Sequence, residues 1–223
     1  MSESLIPARV LYRFSLPCFY HHPLWTADGA GLDERYRLAS LAGLEAEPTQ
    51  RSPSAALDVR VAWSEGGLAL VVRVEGKRQP PWCRGTRPED SDGLQVWIDT
   101  RDIHNVHRAG RFCHRFIFLP TGSGRRLGEP TAACLPIHRA REFSRPPAEG
   151  QLKVRSQKRV HGYVLEAAIA AEALTGFDPR EHPRLGFAYA LEDRELGVQT
   201  LGVGSPMPYQ EDPSLWATLE LVK

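Results

Sequence analysis

Between Leu57 and Val74 apolar side chains recur at every second position, on both sides of a Glu65-Gly66-Gly67 turn. Leu57, Val59, Val61 and Trp63 share one face of the first run, and Asp58, Arg60 and Ala62 share the other. Leu68, Leu70, Val72 and Val74 repeat the pattern on the return. A period of two is the signature of a half-buried strand, and glycine tolerates the positive φ of a tight turn, so the segment predicts a β-hairpin.

The same alternation returns along the chain. Leu94, Val96 and Ile98 face one way, while Gln95, Trp97 and Asp99 face the other. From Phe112 to Leu119, Phe112, His114, Phe116 and Phe118 oppose Cys113, Arg115, Ile117 and Leu119, and Pro120 is expected to end the strand. Further strands are expected over 151–159, 162–169, 185–191, 198–203 and 216–222, with early edge strands at Val10 to Leu16 and Tyr36 to Ala39. A short helix is expected from Ala170 to Thr175, ended by Gly176. About ten strands at this spacing predict an all-β, two-sheet antiparallel sandwich of jelly-roll type. The Pro- and Arg-rich stretches 46–55, 77–92 and 139–151 are expected to be long surface loops. All 223 residues can then form one domain, with 1–26 as an N-terminal edge segment.

Composition narrows the function. The formal net charge is +1, so the basic excess that phosphate backbones require is missing and nucleic acid is not expected as a partner. No stretch reads as a secretory signal or a membrane span, which leads to the expectation of a cytoplasmic protein. Cys18, Cys83, Cys113 and Cys134 are widely spaced and are expected to be free thiols. No Gly-x-Ser-x-Gly elbow, P-loop or His-Glu-x-x-His occurs, so catalytic machinery is not expected.

One segment stands apart. Asp99, Asp102, His104 and His107, followed by His114, offer oxygen and nitrogen atoms suited to a metal ion. They motivate a second reading, a haem- or metal-binding domain. Arg101, Arg108, Arg111 and Arg115 in the same stretch can meet an anionic group.

Six segments resemble, in order, the motifs of family 9 carbohydrate-binding modules, a β-sandwich family of the DOMON-like superfamily. They are Ala27-Asp-Gly29; Val59 to Trp63 with Gly67 to Leu70; Asp92-Gly-Leu-Gln-Val-Trp-Ile-Asp99; Gly162-Tyr-Val-Leu-Glu-Ala-Ala-Ile169; Leu185-Gly-Phe187 with Leu191-Glu-Asp193; and Asp212-Pro-Ser-Leu-Trp-Ala-Thr-Leu-Glu-Leu221. The resemblance runs from about Ala27 to the C-terminus. It implies a sugar held between aromatic planes, with polar groups on its hydroxyls. Carried over by motif, the first aromatic is Trp82 and the second Tyr209. The family's glutamate falls at Gln95 and its arginine at Arg115. Trp97 shares the Gln95 face and can floor the same site. Calcium is known in the family, and the Asp-rich loop is its expected host here. The implied partner is a small sugar or glycan; the sequence adds the expectation of no membrane partner and leaves a protein partner open. A third reading is an interaction protein that kept the sandwich and lost the sugar site.

Overall fold

The computed structural model describes residues 13–39, 57–204 and 207–223. These form eleven strands: β1 (Ser15–Tyr20), β2 (Leu57–Ser64), β3 (Gly67–Glu75), β4 (Gly93–Asp99), β5 (Cys113–Ser123), β6 (Glu129–Leu135), β7 (Leu152–Arg159), β8 (Gly162–Ala170), β9 (Arg184–Asp193), β10 (Gly197–Thr200) and β11 (Ala217–Val222). Their order is β6-β5-β4-β9-β11-β1-β2-β3-β8-β7, with β10 paired to β9. One layer runs from β6 to β11 and the other from β2 to β7. Between them lies a dry core that includes Val61, Leu70, Val96, Ile98, Phe116, Phe118, Leu165, Phe187 and Leu219. The expected sandwich is the observed fold, and its layers are joined through β1 into a nearly closed sheet.

The predicted hairpin is β2–β3, in register from Leu57↔Val74 to Ser64↔Gly67. Gly67 stands at φ 125°. The Asp92 and Phe112 segments lie side by side as β4 and β5, with Trp97 opposite Arg115. Gly29, in the first of the six motifs, has φ 102°, and a methyl group there would collide with the Glu166 carboxylate. That carboxylate accepts from Ala30 N (3.2 Å). The Asp-Gly turn therefore needs glycine both for its backbone and for the close approach.

Several expectations need correction. β1 is not an edge: it lies between β11 and β2 and runs parallel to both. Residues 10–12 and 46–55 lie outside the described segments. Tyr36 to Ala39 makes no strand. Asp33 Oδ1 accepts from Arg35 N (3.0 Å) and caps a 3-10 turn at Glu34–Tyr36, and only an isolated bridge links Arg37 to Arg60. β5 does not stop at Pro120; a register shift between Leu119 and Ser123 absorbs the missing donor, as bulges do. β6 was not foreseen: Glu-Pro-Thr-Ala-Ala-Cys-Leu carries no alternation, and it is a strand because it completes the β5 ladder. The expected helix is one 3-10 turn, Ala171–Ala173, with Gly176 at φ 79° just beyond.

Candidate functional site

The outer face of β4, β5 and β9 carries the candidate residues. Alternation sends Leu94, Val96 and Ile98 into the core and Gln95, Trp97 and Asp99 outward. Register sets Trp97 between Arg115 on β5 and Ala188 on β9, and Gln95 between Ile117 and Ala190. The two alanines leave room for the indole. Glu192, the next outward residue of β9, stands opposite Gly93.

A polar relay crosses this face. Arg115 donates to Gln95 Oε1 from Nη2 (2.6 Å) and Nε (3.2 Å). Gln95 Nε2 donates to Glu192 Oε1 (2.8 Å). The amide orientation follows from its partners, a pure donor on one side and a carboxylate on the other. Arg115 Cζ lies 5.5 Å from the Trp97 ring centroid. Tyr209 meets Trp97 edge-on at 5.5 Å and 78°. Trp216 Nε1 donates to Tyr209 O (2.7 Å) and fixes that segment. Burial lowers the Arg115 pKa and raises that of Glu192, so both charges are held at some cost.

Four of the five residues expected to bind ligand therefore meet: Gln95, Arg115, Trp97 and Tyr209. Their exposure differs from one to the next. Gln95 is 1% exposed and its amide is engaged by protein on both sides. Trp97 is fully buried and Tyr209 is 6% exposed, so neither ring offers a bare face. Arg115 and Glu192 are only half-buried.

Trp82 occupies the rim. Its N–H donates to Asp92 Oδ2 (3.0 Å) and its carbonyl accepts from Asp92 N (2.8 Å). Asp92 and Asp193 share Lys77 Nζ, at 3.3 and 2.5 Å, in a buried triad. The Trp82 ring is not bare: Arg194 Cζ lies 3.1 Å and Arg84 Cζ 4.6 Å from its centroid. Farther along the loop, Glu89 exerts its charge on Arg115, and Asp90 on Glu192.

Two residues escaped sequence reasoning. Glu192 sits in a motif that was read, Leu191-Glu-Asp193, but its place beside Gln95 depends on the β4–β9 register, which a single strand does not reveal. Phe143, in the 139–151 loop, is 70% exposed. It lines a hollow of about 190 Å³ with Cys113, Leu135 and Ile137, and Leu135 is the β6 partner of Arg115.

The five proposed metal ligands do not converge on one point: Asp102 and His104 meet, and the others have separate partners. Asp99 accepts from Arg101 N (2.9 Å) and Ile103 N (2.8 Å), closing a turn. Asp102 accepts from Thr218 Oγ1 (2.9 Å) and lies 2.9 Å from His104 Nε2. His107 meets Asp212 and is largely exposed. His114 is buried and stacked on Phe116, rings 5.8 Å apart and 5° from parallel. Among the described residues no group of three or more His, Cys, Asp or Glu side chains is placed to hold a metal ion. Ser214, His107 and Asp212 form a polar cluster without the layout of a catalytic triad. Both partners address Nδ1 of the same ring, and the Ser214 hydroxyl lies 2.6 Å from Asp212 itself.

No protein-family model and no curated protein matches the sequence. Solved structures do. A family 9 carbohydrate-binding module from Caldicellulosiruptor kristjanssonii in complex with cellotriose superposes with a TM-score of 0.57 at 13% identity, covering 93% of both chains. Such a module from the same organism in complex with glucose gives 0.58 at 12%, covering 93% of this chain and 95% of its own. A candidate carbohydrate-binding protein from Bacteroides uniformis gives 0.51 at 12%, over 78% and 82%. The architecture built up strand by strand above is thus the fold of the family 9 carbohydrate-binding modules.

Proposed function

We propose that this chain is a non-catalytic sugar-binding protein, with its site on the outer face of β4, β5 and β9. Arg115 and Glu192 are its contacts to hydroxyls. Gln95 is the spacer that holds them, and Trp97 and Tyr209 are the packed floor and wall. Trp82 and the exposed Phe143 are the aromatic borders. The observation that carries this reading is the Arg115–Gln95–Glu192 relay. Two opposite charges that served folding alone would do best in direct contact. Here an amide separates them, so a guanidinium edge and a carboxylate oxygen keep hydrogen-bonding capacity toward the outside. Sugar hydroxyls both donate and accept, and their C–H faces suit aromatic borders. The likeness to modules captured with cellotriose and glucose supports the same reading.

Titration calorimetry with glucose and cellotriose tests it. Binding is expected for the wild type. Arg115→Ala is expected to weaken it by about tenfold or more, the worth of a charge-assisted hydrogen bond. Absence of binding to any member of a monosaccharide and glycan panel would refute the reading. Undiminished binding by Arg115→Ala would move the site elsewhere.

A further inference from the structure

We propose that the sugar bears an oxyanion, a carboxylate or a phosphate ester, and that Arg84 and Arg194 stacked on Trp82 form the subsite that takes it. This rests on the sugar-binding reading above and narrows its ligand class.

The stack is built rather than incidental. One buried carboxylate sets both partners: Asp92 Oδ2 accepts from Trp82 N (3.0 Å), and Asp92 Oδ1 accepts from Arg194 N (3.0 Å). Lys77 and Asp193 lock that carboxylate from below. Ser91 Oγ accepts from Arg84 N (2.8 Å) and so holds the second arginine's backbone. The ring and the start of each arginine are therefore fixed before any ligand arrives.

The chemistry of a stacked guanidinium then points to an anion. Stacking uses the face of the group and leaves its edge, with its fork of N–H donors, free for a planar or tetrahedral oxyanion. Among the described residues no carboxylate lies within ion-pair distance of Arg84 or Arg194. The nearby Glu195 is engaged elsewhere, accepting from the backbone N–H groups of Arg78 and Gln79. Exposed Arg78 and Arg87 add to the positive rim. A neutral sugar would have to displace an arginine to stack on Trp82, whereas an anionic one gains from finding it there.

The subsite borders the relay. Arg194 follows Glu192 by two residues, and Trp82 pairs with Asp92, three residues before Gln95. Three residues of strand span about 10 Å, within reach of one sugar ring and its acidic substituent.

Calorimetry with glucose, glucuronate, glucose 6-phosphate and inorganic phosphate, at low and high salt, tests the proposal. An acidic sugar is expected to bind at least about tenfold more tightly than glucose, with an advantage that shrinks as salt rises. Whichever of glucuronate and glucose 6-phosphate binds more tightly names the oxyanion. Arg194→Gln and Arg84→Gln, both exposed substitutions, are expected to bring the acidic-to-neutral affinity ratio toward one. A wild-type ratio near one, or a ratio that the substitutions leave unchanged, would overturn the inference while the sugar reading stands. Inorganic phosphate binding as tightly as the acidic sugar would mark the patch as a general anion site and overturn it too. Failure of every sugar to bind would remove the underlying reading and this inference together.

Discussion

His114 illustrates how one residue's setting decides its role. Its sequence neighbourhood suggests a ligand, yet β5 sends it inward against Phe116. Burial pushes its pKa down from 6.5 to about 4. A depressed value means that the folded protein favours the neutral ring. The stabilising difference is complete above pH 6.5 and is lost as pH falls toward 4. Over that window the wild type is expected to lose about 3 kcal/mol more than His114→Phe, measured by urea unfolding at a series of pH values. Parallel pH profiles for the two proteins would contradict the account. At this scale alternation made much legible: it set Gln95 and Trp97 on one face of their strand and apart from Leu94, Val96 and Ile98, it set Arg115 apart from Phe116 and Phe118, and the structure brings Gln95, Trp97 and Arg115 together. Glu192, Phe143 and the arginines on Trp82 were not legible, because their meaning arises from register between distant strands and from where loops settle.

Elements behave according to what they cover. The segment from Met207 to Trp216 lies over the outer face, where Tyr209 closes one side of Trp97. Histidines from two other loops hold it down, His107 on Asp212 and His138 on Glu211 (2.7 Å). Packing and surface charge contribute very differently here. Tyr209→Ala is expected to cost about 3 kcal/mol and to shift the Trp97 emission to the red as water reaches the indole. His138→Ala, which removes an exposed pair, is expected to cost under about 1 kcal/mol. Equal losses in thermal unfolding would show that the ion pairs, not the ring, secure the segment. β6 shows the limit of pattern reading at this scale. Its alanines and Pro130 carry no strand signal, and only the open edge of β5 makes it a strand.

For the whole molecule the decisive strand pairing is the one that, among the described residues, spans the longest stretch of sequence. β1 pairs with β11, Ser15 opposite Thr218, and meets β2 at its far end through Phe19 and Tyr20. The first described strand therefore closes the sheet only after the last has been made. Loop closure over such a separation is slow, and refolding is expected on the scale of milliseconds to seconds in stopped-flow fluorescence. A chain truncated after Trp216 would leave β9 and β1 without their shared neighbour and is expected not to fold cooperatively in denaturant melts. A cooperative transition in that truncation would show that the two layers stand without the bridge. The sequence announced the two layers through period-two runs. It could not announce that a strand expected at the edge would become the seam.

Parallel pairing of β1 and β11 also fixes directions. β1 begins level with Thr218 and Gly186, and β11 runs from there past Glu220, opposite Arg184, to Val222, whereas Glu192 lies eight residues beyond Arg184 at the other end of β9, about 26 Å away. Whatever is tethered beyond Lys223, whether a bead or a sensor chip, hangs from the end of the sheet remote from Glu192 and the Trp82 loop and leaves that end unencumbered.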